Sequence, residues 1–142
     1  TVKDTQQESR YVSSVSLLNS QSEIVLLDMA TVNTLLRITS DTGNPVFCRV
    51  LDAFTQEAEK LIAQINEQVS QEILDFSVIA NIAHALKSMA GNVGAKALFE
   101  LCDGLEDKLN NNQRSEITAL SQNISVIYEM SCEKLDTFRN VI

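Results

Sequence analysis

The sequence predicts an all-α fold: an antiparallel up-down four-helix bundle with an additional short N-terminal helix. Three observations predict it. The 142-residue chain holds only 4 glycines and 1 proline, with aromatics at 5%, too few turn formers for a many-stranded sheet and a balance that suits helices. Apolar residues recur at three- and four-residue steps in four long segments, the period of helices that each bury one stripe. Short polar breaks separate these segments, and short connections make successive helices antiparallel neighbours. At 44% hydrophobic and 21% charged, the chain can bury one core.

Residues 1–23 are polar and Ser/Gln-rich and read as a linker or loosely packed arm, with Val15-Ser16-Leu17-Leu18 placed to dock as a short helical turn. Residues 24–142 form the predicted domain. Leu27, Thr31, Leu35 and Ile38 recur at helical spacing behind a capping Asp28, which gives the short N-terminal helix. In Asp41-Thr42-Gly43-Asn44-Pro45 the chain stops and restarts, with Asn44 as N-cap and Pro45 at the first helical position. The next helix carries Phe47, Val50, Leu51, Phe54, Ala58, Leu61, Ile62, Ile65 and Val69. Another begins near Asp75, buries Ile79, Ile82, Ala83, Leu86 and Ala90, and is expected to end where Gly91-Asn92-Val93-Gly94 breaks the pattern. A helix from about Ala95 turns Leu98, Leu101, Cys102, Leu105 and Leu109 inward and ends at Asn110-Asn111-Asn112-Gln113. The last, from about Arg114, aligns Ile117, Leu120, Ile124, Ile127, Leu135 and Phe138.

A formal net charge of −8 and a pI near 4.5 argue against nucleic acid and against direct contact with anionic membranes, since both are held by clustered Lys and Arg. No run approaches the roughly 20 apolar residues of a membrane-spanning helix, and no basic start leads into an apolar stretch, so a cytoplasmic domain is expected. Cys48, Cys102 and Cys132 are odd in number and widely spaced. They suggest neither a disulfide framework nor a zinc site and read as buried free thiols.

Histidine occurs once, at position 84, so any imidazole chemistry has a single candidate. At 100° per residue, Ile82, Ala83, Leu86 and Ala90 fall within about 60° of Ile79, whereas His84 lies about 140° away. His84 therefore faces solvent. Ala80, Lys87, Ser88 and Gly91 share its face, and three of these four are small, which leaves the imidazole protruding beside one cation. A phosphoryl-accepting histidine needs an exposed ring nitrogen, room for a bulky partner and a positive charge near the transferred oxygens. An exposed helical histidine is also a common surface residue, so phase alone does not decide between the two. Glu100, Asp103, Glu106 and Asp107 on the following helix read as a solvated face rather than a metal site. One histidine without a Cys, Ser or carboxylate constellation completes no catalytic set for a small-molecule enzyme.

Residues 80–106 contain Ala83-His84-Ala85-Leu86-Lys87, Gly94-Ala95 ten residues after the histidine, then Leu98, Leu101-Cys102 and Leu105-Glu106. This stretch resembles the signature of histidine-containing phosphotransfer domains: A-H-x-L-K-G, a small-residue stretch, G-A, and spaced Leu and Leu-Glu positions. Ser88 departs from it, standing where the family usually has Gly, and a modest change in docking is expected. The resemblance implies that His84 takes a phosphoryl group from the aspartyl phosphate of one receiver domain and passes it to another. It further implies that Lys87 offsets the phosphoryl charge, while Ala80, Ser88 and Gly91 lie under the docked receiver. The family has no ATP-dependent kinase activity of its own, and no Gly-rich nucleotide loop occurs here. No resident cofactor is implied; Mg2+ is expected from the receiver. The non-Met start and polar leading segment favour the C-terminal module of a bacterial hybrid sensor kinase, and a one-chain core predicts a monomer. The alternative from another class is an acidic helical adaptor indifferent to His84.

Overall fold

The computed structural model describes residues 24–141; the arm read over residues 1–23 lies outside the described residues. Among the described residues five helices follow one another: α1 Met29–Thr42, α2 Val46–Val69, α3 Phe76–Val93, α4 Lys96–Asn110 and α5 Arg114–Asp136. The predicted all-α architecture holds. Helices α2 to α5 pack in sequence, and α5 returns against α2 to close the ring, while α1 lies outside against α2 and α3. Phe47, Leu51, Ile65, Ile79, Leu86, Leu98, Leu105, Ile117, Ile124 and Leu135 are fully buried between them. Each stripe is covered because four amphipathic helices in a ring give every apolar face a partner.

Helix α1 starts as expected, with Asp28 accepting from the Ala30 N–H at 3.1 Å. It then runs 14 residues to a left-handed Gly43 at φ 74°. Its fully buried residue is Val32, which the predicted stripe omits; of that stripe Leu27 is buried just before the helix, Thr31 and Leu35 are half-buried, and Ile38 is 39% exposed. A helix on the outside of a closed ring has only a narrow strip to bury.

The start of α2 corrects the expected cap. Pro45, not Asn44, takes the N-cap position, and no side chain of either closes the helix end. One N–H of the first turn is satisfied from α1, Thr39 Oγ1 accepting from the Phe47 N–H at 2.9 Å, and just before the helix Thr42 Oγ1 accepts from the Asn44 N–H at 3.1 Å. The two helices thus share one cap.

Helix α3 begins where the sequence implies, and Asp75 caps it, accepting from the Val78 N–H at 3.2 Å. The helix ends inside the expected Gly91–Gly94 break. It continues through Gly91 and Asn92 to Val93, and Gly94 stops it at φ 84°, because only Gly94 takes the left-handed conformation that closes a helix. The junction is stitched to the segment before α1: the Asp28 N–H donates to Gly94 O at 2.8 Å, and the Ala97 N–H donates to Leu26 O at 3.2 Å.

At the far end of the bundle Arg114 donates to Glu72 O at 2.7 Å and to Gln71 O, tying the α2–α3 loop to the start of α5. Phe138 lies just beyond α5 and packs edge-on against Phe47, with centroids 6.4 Å apart. Tyr128, absent from the predicted stripe, is buried and donates to Glu59 Oε2 at 3.2 Å. The cysteines are free, but only Cys102 is buried; Cys48 and Cys132 are half-buried, because they sit at the margins of their stripes. Burial pushes the Cys102 thiol up to about 12.

Candidate functional site

Helix α3 presents two opposed faces. Ile79, Ala83, Leu86 and Ala90 are fully buried, and the imidazole of His84 stands on the other side with 66% of its side chain exposed. The collar follows the predicted phase: Ser88 and Gly91 are exposed, and Ala80 is half-buried against the core. Ser88 at the position of the family's glycine adds one hydroxymethyl to that surface.

The other flank of His84 is built by α4. Lys87 Nζ lies 2.7 Å from Glu106 Oε1 and 3.2 Å from Asp103 Oδ1. The second oxygen of the same Glu106 carboxylate lies 3.3 Å from His84 Nδ1. Glu106 thus bridges the imidazole and the ammonium, one oxygen to each. Phe99 supplies a floor, its ring centroid 5.8 Å from Lys87 Nζ and its edge beside Gly91. The Lys87 side chain is only 19% exposed, which is low for a lysine on the open face of a helix. Its pKa is raised, first by the hydrogen bond to Glu106 and next by that to Asp103, so it stays cationic throughout the neutral range.

The structure therefore brings His84, Lys87, Ala80, Ser88 and Gly91 to one surface. It also corrects the reading of the α4 carboxylates. Glu106 is 24% exposed and belongs to the histidine, whereas Asp103 is 67% exposed and Glu100 pairs with Lys96, as a solvated face would have it. Phe99 was not singled out in the sequence, and Asp103 and Glu106 were read there as solvated rather than as neighbours of Lys87 and His84. A register argument finds the two carboxylates: α3 and α4 form a tight hairpin about Gly94, so residues at near-equal chain distances from it come level. His84 then meets Glu106 and Lys87 meets Asp103. Among the described residues no three His, Cys, Asp or Glu side chains converge on a point that could hold a metal.

Fold and site together define a helical bundle with one exposed imidazole on its third helix, flanked by a lysine of the same helix and a carboxylate of the next. The Hpt domain profile matches residues 49–137, spanning α2 to α5 and including every residue of the site. The chain belongs to the Hpt domain family, and it serves as a phosphorelay intermediate in two-component signalling. Three solved structures share its fold at low identity. A putative histidine-containing phosphotransfer protein from rice superposes with a TM-score of 0.70 at 19% identity, covering 94% of this chain and 93% of that one. A histidine-containing phosphotransfer protein from maize gives 0.74 at 20%, covering 92% and 93%, and one from Medicago truncatula gives 0.72 at 17%, covering 94% and 88%. No curated protein sequence matches the chain. Among the described residues no helix is long and apolar enough to cross a membrane.

Proposed function

We propose that His84 is the phosphoryl carrier of this domain, accepting from the aspartyl phosphate of a receiver and donating to the aspartate of a second receiver. The observation that carries this reading is the orientation of the ring: Nδ1 faces Glu106 at 3.3 Å on a side chain that is 66% exposed, which leaves Nε2 as the outward nitrogen. The Nε2 lone pair attacks phosphorus, an Nε2–P bond forms, and the P–O bond to the receiver's aspartate breaks, its electron pair leaving with the carboxylate. The ring keeps its Nδ1 proton and gains positive charge, which Glu106 is positioned to offset. In the onward step the acceptor's carboxylate attacks phosphorus and the electron pair returns to Nε2. No proton has to move in either direction.

Lys87, held beside the ring, faces the transferred oxygens as their cation, and the low surface of Ala80, Ser88 and Gly91 admits the receiver. Mg2+ is supplied by the receiver's own acidic cluster. The partners are the receiver domains of a hybrid sensor kinase and of a response regulator, met by a cytoplasmic, monomeric domain without nucleic acid or direct membrane contact. The test is incubation with phosphorylated receivers: acid-labile, alkali-stable label appears on the protein and is lost in His84→Gln. Label that persists in His84→Gln would overturn the assignment.

A further inference from the structure

The cation of the site is already engaged. Lys87 carries one positive charge, Asp103 and Glu106 carry two negative charges, and His84 is neutral while it acts as a nucleophile, so the cluster bears a net charge of about −1 before any phosphoryl group arrives. A phosphoryl group adds about −1.5 to −2 at neutral pH. The two carboxylates are not equivalent. Glu106 is mostly covered and also faces Nδ1, whose positive charge it offsets in the phosphorylated ring. Asp103 pairs within this cluster with Lys87, through Oδ1, and its side chain is 67% exposed. It contributes nothing to orienting the imidazole.

We infer that Asp103 tunes the phosphoryl-transfer equilibrium: by occupying Lys87 and adding a negative charge beside the incoming group, it destabilises phosphorylated His84 and favours onward transfer to the acceptor receiver. This rests on the assignment of His84 as the carrier. The phosphoryl group must compete with Asp103 for the ammonium, and the loser is left next to a like charge. A carrier that held its phosphate too tightly would stall the relay, so a nearby carboxylate that weakens the bound state speeds its discharge. Asp103 is a positioning residue here, acting through Lys87 and through its field rather than by touching phosphorus.

Because the chain has one histidine, a small N-phosphoryl donor such as phosphoramidate can load only one phosphohistidine, with ammonia leaving as the P–N bond of the donor breaks. Phosphorus NMR then reads the ionisation of that phosphoryl group directly. The titratable and charged groups facing it are Asp103 and Glu106 from α4 and Lys87 from α3. Asp103→Asn keeps the shape and removes the charge, so the phosphoryl pKa should fall by about 0.3 to 0.7 units, while Asp103→Glu should return it toward the wild-type value. In transfer to a receiver, Asp103→Asn should raise the fraction of phosphate resting on His84 about three- to fivefold, an effect that shrinks in high salt. If Asp103→Asn matches wild type in both readouts while His84 is labelled, the inference about Asp103 is wrong and the carrier assignment stands. If phosphoramidate gives no phosphohistidine signal in the wild-type protein, the carrier assignment fails first.

Discussion

Gly94 ends the helix that carries His84, and three glycines in this chain allow its contribution to be divided. Its φ of 84° lies in the left-handed region, and a Cβ built there would stand 3.0 Å from Val32 Cγ2, 3.1 Å from Asp28 O and 3.3 Å from Thr31 Cβ. Gly43 has a similar φ of 74° but nothing within 4 Å of a built Cβ. Gly104 is helical with open space around it. Gly43→Ala should therefore destabilise by about 1 kcal/mol, the left-handed penalty less the entropy the unfolded chain loses. Gly94→Ala adds crowding against the backbone of the first turn of α1, where Asp28 O accepts from both Thr31 and Val32 N–H groups, so its loss should be about 3 kcal/mol. Gly104→Ala should stabilise by about 0.5 to 1 kcal/mol, since the helix gains propensity at no steric cost.

Urea unfolding followed by far-UV circular dichroism measures all three, provided the slope with denaturant is unchanged. A second variant sharpens the test. Val32→Ala removes the nearest side-chain obstacle, so Gly94→Ala should destabilise a Val32→Ala background by less than it does wild type. Equal losses for Gly94→Ala and Gly43→Ala would refute the close-approach account, leaving backbone conformation as the only demand on Gly94.

Two further outcomes are expected. Lys87→Ala should slow phosphoryl transfer to and from His84 at least severalfold while leaving the helical spectrum intact, because the cation next to the transferred oxygens is gone; wild-type rates in both directions would remove Lys87 from the mechanism. Cys102 should make the fold sensitive to alkali. Its thiol ionises near pH 9.0 when unfolded but is raised to about 12 in the bundle, so below pH 9 it has no effect, and above it the unfolded state sheds a proton that the folded state keeps. Stability attributable to Cys102 is then lost as pH rises through that window, at up to about 1.4 kcal/mol per pH unit. Cys102→Ala should show a shallower decline than wild type across the window, and parallel profiles would show that this thiol is not the group responsible.

The parts of this fold that were legible in the sequence are those governed by local rules. Helical phase alone placed Ile79, Ala83, Leu86 and Ala90 inside and His84 outside, because one side chain's bearing on a helix depends only on its own position. Asp28 was readable as a cap, and Asp75 as the place where α3 begins, for the same reason. The failures sit where a second element decides. The start of α2 borrows its hydrogen bonds from Thr39 and Thr42 of α1, so a cap sought among its own residues fell on Asn44. Helix α1 buries Val32 because the ring it lies against is already closed, a fact no period within α1 contains. The end of α3 falls inside the Gly91–Gly94 break that the sequence marks, and the tertiary demand at Gly94, facing Asp28 and Val32, fixes which glycine closes it.

The same distinction explains why half of the site was visible. His84, Lys87 and the small collar lie on one helix, whereas Asp103 and Glu106 reach them across a helix pair whose register is fixed by the two-residue turn at Gly94-Ala95. Along an α-helix each residue advances about 1.5 Å, so a one-residue slip in that turn would displace Glu106 by a distance comparable to half its separation from His84 Nδ1. A carboxylate bridging two groups on the neighbouring helix tolerates no such slip. The junction that terminates α3 therefore also sets the electrostatics of the imidazole, and its packing against Asp28 and Val32 ties α1, outside the bundle ring, to the chemistry on the face of α3. Gly94→Ala accordingly tests more than stability: in the fraction that remains folded, any shift of α4 against α3 should appear as a changed phosphoryl pKa on His84, whereas a purely local strain would leave that pKa at its wild-type value.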